Sequence, residues 1–249
     1  MPQELVLPKI FAHRGGRKTT PENTAAAFKN SMHLGVAGIE LDIQRCATGE
    51  LVVIHDEDIN RTTNGVGLVK DISLAELKRI SAGGWFDQQF ATENVPTLQE
   101  VLEIINGNLV LNIEVKNAPV SYDDIDDDLL ELLSHYQHPD TIIVSSFDHQ
   151  LLLKISQKTD IAIALLAECV FFDLQAYATT LGASFWHPPY DVVRPELVEE
   201  AHSLGLLVNV WTVNDARKWR KLVDMGVDGI ITDDPEGLSV FLDEVSLST

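Results

Sequence analysis

Short apolar runs alternate with stretches of helical periodicity along the whole chain, and this alternation restricts the fold more than any other feature. The runs are Lys9–His13, Gly38–Ile43, Leu51–His55, Leu109–Lys116, Thr141–Ser145, Ile161–Leu165, Ser184–His187, Leu207–Trp211 and Gly229–Thr232. Their apolar positions are mostly continuous, as expected of strands covered on both faces of a parallel sheet. Helix ends are legible between them. Thr20-Pro21-Glu22 offers an N-cap followed by a first-turn proline, with Ala25, Phe28 and Met32 on one face. Ser73-x-x-Glu76 and Thr97-x-x-Glu100 read as capping boxes. Asp148, Pro195 and Asp215 open further helices, Gly35, Gly205 and Gly226 close others, and the acidic run Asp123–Asp128 reads as a helix start.

Alternation of this kind, with right-handed crossovers, gives an α/β fold. Nine runs are one more than a (β/α)8 TIM barrel needs. Leu51–His55 follows Ile43 after a turn at Thr48-Gly49-Glu50, too short for a parallel crossover. It is therefore expected to lie antiparallel to the second strand, or to extend it. Eight βα units remain, and residues 1–249 are expected to form a single barrel domain. Residues 56–95 would be a small insertion after the second strand region, with one short helix and the aromatics Trp85 and Phe86.

Lys and Arg total 18 against 38 Asp and Glu, a formal charge of −20. Such a surface repels nucleic acid and anionic lipid, so neither is expected as a partner. An anionic substrate would need a local reversal of the field, by a metal or a few placed cations. Cys46 and Cys169 have no CxxC spacing and are expected as two buried thiols in a reducing cytosol. The start, Met-Pro-Gln-Glu-Leu-Val-Leu-Pro, lacks a secretory pattern, and no apolar run approaches the roughly 20 residues that span a bilayer. A soluble cytoplasmic protein without stable membrane association is the expectation. Its oligomeric state is left open, a homodimer included.

The anomaly is charge inside apolar strands. In Gly-Ile-Glu-Leu-Asp-Ile, Glu40 and Asp42 share a face; in Leu-Asn-Ile-Glu-Val-Lys, Asn112, Glu114 and Lys116 do. With the apolar set packed under helices, these groups point into the barrel near its carboxyl end, where barrel enzymes assemble their sites. Three buried carboxylates repel one another and lose hydration. A divalent cation resolves this, and an all-oxygen set from Glu40, Asp42 and Glu114 suits Mg²⁺, Ca²⁺ or Mn²⁺. The competing reading is an ion-pair network with Lys116 and Arg14. His13 and His55 each end a strand and are candidates for acid–base work. Gly15 and Gly16 allow close approach to the backbone, and Arg14 supplies a planar cation for phosphate. His187 also ends a strand and is a candidate to line the mouth. Nucleotide-loop, zincin and serine-hydrolase motifs are absent from the sequence.

Set in order, His13-Arg14-Gly15, Pro21-Glu22-Asn23-Thr24, Glu40-x-Asp42, Val53-Ile54-His55-Asp56, Arg61-Thr62-Thr63, Glu114-x-Lys116, Trp211-Thr212-Val213-Asn214 and Gly226 to Pro235 span nearly the whole chain. In these motifs the sequence resembles the glycerophosphodiester phosphodiesterase family. The resemblance implies a (β/α)8 barrel with a small insertion and metal-dependent hydrolysis of glycerophosphodiesters. Substrates such as glycerophosphocholine or glycerophosphoethanolamine would yield an alcohol and sn-glycerol 3-phosphate, a step in glycerophospholipid head-group catabolism. By motif position, His13 and His55 would be the acid–base pair. Glu40, Asp42 and Glu114 would hold one divalent cation, Mg²⁺ or Ca²⁺, with Mn²⁺ as an alternative. Arg14 and Lys116 would hold phosphoryl oxygens, and Phe147 and Trp211 would border the glycerol pocket, barrel-mouth packing being their other reading. The nucleophile is either water or the substrate's own 2-hydroxyl by way of a cyclic phosphate. A lysophospholipid-cleaving relative and a non-catalytic scaffold on the same barrel are the competing functions.

Overall fold

The continuous apolar runs become strands in the computed structural model, which describes residues 6–247. The segment where no leader was expected lies outside the described residues as far as Leu5. In chain order the elements are β1 (Lys9–His13), α1 (Ala25–Leu34), β2 (Gly38–Arg45), β3 (Leu51–Val53), α2 (Leu74–Leu77), α3 (Leu98–Ile105), β4 (Val110–Val115) and α4 (Ile125–Ser134). There follow β5 (Ile142–Ser146), α5 (His149–Ser156), β6 (Ala162–Leu166), α6 (Leu174–Leu181), β7 (Phe185–His187) and α7 (Pro195–Ser203). The chain finishes with β8 (Leu207–Val210), α8 (Ala216–Met225), β9 (Gly229–Thr232) and α9 (Pro235–Leu247).

Parallel pairing runs β1-β9-β8-β7-β6-β5-β4-β2, and β1 pairs with β2 to close the ring. The result is a (β/α)8 TIM barrel. β3 lies antiparallel on β2, with Ile43 opposite Val53, as the short turn required. Ile39, Leu41, Ile43, Leu111, Ile113 and Val115 point outward into one continuous core with Leu98, Val101, Leu102 and Ile105 of α3. Each such side chain contributes about 1.5–3 kcal/mol by burial. Leu111→Ala would leave a cavity costing about 2–5 kcal/mol. A second, smaller cluster gathers Val52, Ile54, Ile59, Val69, Leu77 and Val95 beneath the inserted segment. That segment holds two 3-10 turns besides its short helix α2, at Val69–Asp71 and Gln88–Phe90.

Most helix ends follow their sequence signals. Ser73 and Thr97 form reciprocal capping boxes, Asp148 and Asp215 cap α5 and α8, and Gly35 and Gly226 end α1 and α8 in the left-handed conformation. The acidic run does open α4, with Asp126, Asp127 and Asp128 in its first turn. Three expectations are corrected. α1 is capped by Thr24, whose hydroxyl accepts from the Ala27 N–H, and not by Thr20. Residues 20–23 cannot continue the helix because Asn23 takes φ +57° and the buried Glu22 is bonded to arginines. Cys46 is buried but Cys169 is exposed, on the loop after β6. His187 does not line the mouth: it is fully buried inside the barrel, where Nε2 lies 3.1 Å from Asn209 Nδ2. Among the described residues no helix is long and apolar enough to cross a membrane.

Candidate active site

The barrel register brings the strand charges together. Glu40 is paired with His13 on one side and Asn112 on the other, and Asp42 is paired with Glu114. Carboxylate oxygens of Glu40, Asp42 and Glu114 lie within 4.8 Å of one another, and all three residues are buried. Lys116 pairs with Glu114 and stands 3.1 Å from Asp42. Arg14 Nε is 3.4 Å from Asp42, and the Arg14 N–H donates to Glu40 at 3.1 Å. That backbone contact requires the turn after β1, in which Arg14, Gly15 and Gly16 take φ +51°, +82° and +86° in succession. A non-glycine residue there is strained by about 1–3 kcal/mol, strain of the kind that accumulates at functional sites. Gly15 must remain glycine, since a Cβ would come within 2.7 Å of the Ala27 Cβ.

The cluster fits a hard divalent cation. Three acids face two side-chain cations, Arg14 and Lys116, so one negative charge is left over. Burial, then repulsion from Asp42 and Glu114, raises Glu40 well above the usual carboxylate range. Burial also pushes Glu114 up to about 7. Against burial, Lys116 and Arg14 hold Asp42 well below its usual range. The ion pairs of the competing reading therefore exist, and they leave two of three acids destabilised as anions. An all-oxygen donor set with surplus negative charge is what Mg²⁺, Ca²⁺ or Mn²⁺ takes.

Both histidines are oriented by aspartates. His13 Nδ1 is 2.6 Å from Asp233 Oδ1, and its Nε2 is 3.8 Å from Glu40. His55 Nδ1 is 2.7 Å from Asp56 Oδ1. A carboxylate only accepts, so each Nδ1 carries the proton and each Nε2 is free to exchange one. Burial lowers both imidazoles from their ordinary value, against the pull of Asp233 on His13 and of Asp42 and Asp56 on His55. Phe147 and Trp211 meet edge to face at 5.8 Å and border the same pocket as His13, Glu40, Asn112 and Glu114. A larger cleft opens at the opposite end of the barrel around Lys9, Asp140, His202 and Asp228, remote from these groups.

Comparison with known proteins decides the family. The family model "Glycerophosphoryl diester phosphodiesterase family" matches residues 13–237. The chain belongs to the glycerophosphoryl diester phosphodiesterase family. A glycerophosphodiester phosphodiesterase of Caldanaerobacter subterraneus is 43% identical over 231 residues, covering 92% of this chain and 95% of that protein. One from Bacillus altitudinis is 39% identical over 235 residues, covering 92% and 96%. An Oleispira antarctica phosphodiesterase, solved with the product sn-glycerol-3-phosphate, superposes with a TM-score of 0.87 at 28% identity, covering 95% of this chain and 97% of that one. Membership makes the chain a glycerophosphodiester phosphodiesterase by class.

Some groups around this cluster were given no role by sequence. Asp56 and Asp233 orient the histidines, Asn23 Nδ2 donates to Asp42 at 2.9 Å, and Glu22 and Arg61 form bidentate contacts. Asp56 had a signal in its adjacency to His55. Asp233 had one only for a closed barrel, in which the end of the last strand abuts the first.

Proposed function

We propose that the chain hydrolyses glycerophosphodiesters such as glycerophosphocholine and glycerophosphoethanolamine to an alcohol and sn-glycerol 3-phosphate, with one divalent cation held by Glu40, Asp42 and Glu114. The observation that carries this reading is the convergence of three buried carboxylates within 4.8 Å, beside His13 and two cations. The product bound to the Oleispira antarctica phosphodiesterase supports the same substrate class.

When bound, the cation supplies Lewis-acid polarisation of a phosphoryl oxygen. The guanidinium of Arg14 and the ammonium of Lys116 orient the phosphoryl oxygens and stabilise the charge that grows on them. One imidazole, neutral, takes the proton of the attacking hydroxyl at its free Nε2, while the other, entering the step as an imidazolium with a second proton on Nε2, gives that proton to the departing alkoxide. The phosphorus–oxygen bond to the alcohol breaks as the bond to the nucleophile forms; the imidazoles return to their starting states through opening of the cyclic phosphate by water with the two roles reversed, or, for direct attack by water, by proton exchange with solvent. Attack by water and attack by the substrate's 2-hydroxyl both use these transfers. Phe147 and Trp211 cover the apolar edge of the glycerol and limit water at the reacting centre.

The test is release of sn-glycerol 3-phosphate from glycerophosphocholine by wild type, His13→Ala and His55→Ala, each with Mg²⁺, Ca²⁺ or Mn²⁺ and with EDTA. Turnover only in metal-loaded wild type is expected. Full activity in either alanine variant removes that histidine from the mechanism.

A further inference from the structure

From one histidine to the other runs an unbroken alternation of charge. His13 is bonded to Asp233, whose Oδ1 is 3.7 Å from Arg17 Nε, and the same Nε is 3.7 Å from Glu22 Oε2. Arg61 then donates to both Glu22 oxygens, at 2.8 and 2.9 Å, and to both Asp56 oxygens, at 2.6 and 3.0 Å. Asp56 in turn holds His55. Glu22 stands in the middle, and it also accepts from Arg14 Nη1 at 2.6 Å.

Glu22 has more cations than its charge demands. Its side chain is only 2% exposed, and a single arginine would neutralise it; three contact it. Arg14 is shared between Glu22 and Asp42, so the arc keeps only Arg17 and Arg61 against Glu22, Asp56 and Asp233 and brings no surplus positive charge to the centre. Such an arrangement does little for charge compensation at the reacting phosphate and much for geometry. Bidentate guanidinium–carboxylate contacts fix orientation as well as distance. Arg61 comes from the inserted segment, and Arg14 and Arg17 come from the loop after β1. Among the described residues no backbone pairing joins those two regions directly. Glu22 is the joint.

We propose that Glu22 is a positioning residue for the phosphodiesterase reaction: through Arg14 it sets the phosphate-facing guanidinium, and through Arg61 and Arg17 it holds both histidine–aspartate pairs. The inserted segment is thereby part of the working site instead of a covering for the barrel. This rests on the roles given above to His13, His55 and Arg14, and Glu22 itself touches no reacting atom.

The experiment measures kcat, KM and thermal midpoint of the Mg²⁺-loaded full chain on glycerophosphocholine for Glu22→Gln, Arg61→Gln and the double variant. Misplacing a catalytic group by about 1 Å costs about 100-fold, so Glu22→Gln should lower kcat by tenfold to about 100-fold and raise KM several-fold. Arg61, with a side chain 41% exposed, is the safer site for folding, and Arg61→Gln should lower kcat about tenfold or more. Because both act on one arc, the double variant should be no more than about threefold worse than Glu22→Gln alone. A merely structural ion pair would lower the midpoint and leave kcat and KM of the folded enzyme unchanged. A loss in kcat smaller than tenfold in the folded Glu22→Gln chain, or in Arg61→Gln if Glu22→Gln does not fold, overturns the proposal. If His13→Ala and His55→Ala are fully active as well, it is the reading of the site that fails; if they are inactive, only the role of Glu22 does.

Discussion

His13 and Asp233 are 220 residues apart in sequence, yet their side chains meet at 2.6 Å across the seam where β1 pairs with β9. The carboxylate keeps the Nδ1 proton in place and presents Nε2 to the site. Asp233→Asn retains the shape and removes the charge-assisted acceptor, so kcat should fall about 100-fold or more. KM should stay within about threefold, because the phosphate contacts are untouched. Steady-state kinetics on glycerophosphocholine checks this, and a kcat near the wild-type value would relieve Asp233 of the role.

Crowding Glu40, Asp42 and Glu114 together costs stability in the metal-free chain, a cost that a bound cation would offset. Glu40→Gln removes a buried carboxylate raised by burial and by its two acidic neighbours, so the metal-free variant should melt above metal-free wild type. The same change should abolish most of the rise in midpoint that Mg²⁺ gives wild type, where a hundredfold excess over Kd adds about 2.7 kcal/mol of stability. Calorimetry with EDTA and with Mg²⁺ reads both. Equal midpoints with and without metal in wild type would contradict the site.

The buried His187 should leave a mark on acid stability. Burial holds its pKa at about 3 in the fold, against the ordinary 6.5. Between those values the unfolded chain binds a proton that the native chain does not, so stability falls as pH drops from 6.5 toward 3. One proton sets a slope of at most about 1.4 kcal/mol per pH unit. His187→Gln should therefore flatten the fall between pH 6 and 4, measured as the difference in urea midpoint from wild type. An identical pH dependence in the two proteins would show that His187 protonates freely in the native state.

Phe147 is 43% exposed and packs edge to face on Trp211 at 5.8 Å. Phe147→Ala should raise KM for glycerophosphocholine about tenfold, equivalent to about 1.4 kcal/mol, with kcat within about threefold of wild type. An unaltered KM would favour plain packing at the barrel mouth.

What the sequence discloses and what it hides divide along physical lines. Strand faces are legible because period two forces Glu40 with Asp42, and Asn112 with Glu114, to one side. The same period sends Ile39, Leu41 and Ile113 to the other. Capping boxes at Ser73 and Thr97 are legible because they are local chemistry. The start of α1 departs from its local signal because tertiary contacts take precedence: Glu22 is committed to three arginines, and the chain turns left-handed at Asn23 before Thr24 can cap. Cys169 is expected inside because thiols usually are, but the loop after β6 leaves it in solvent. The partner of His13 is out of reach for a different reason. Asp233 gains its meaning only from ring closure, a relation between the two ends of the fold that no local pattern encodes.

That seam also bears on biosynthesis. During translation the first histidine emerges long before its aspartate, and the two cannot meet until β9 has slotted beside β1. A chain stalled short of its last strand would carry Glu40, Asp42 and Glu114 and still lack an oriented His13, because Asp233 directly follows β9.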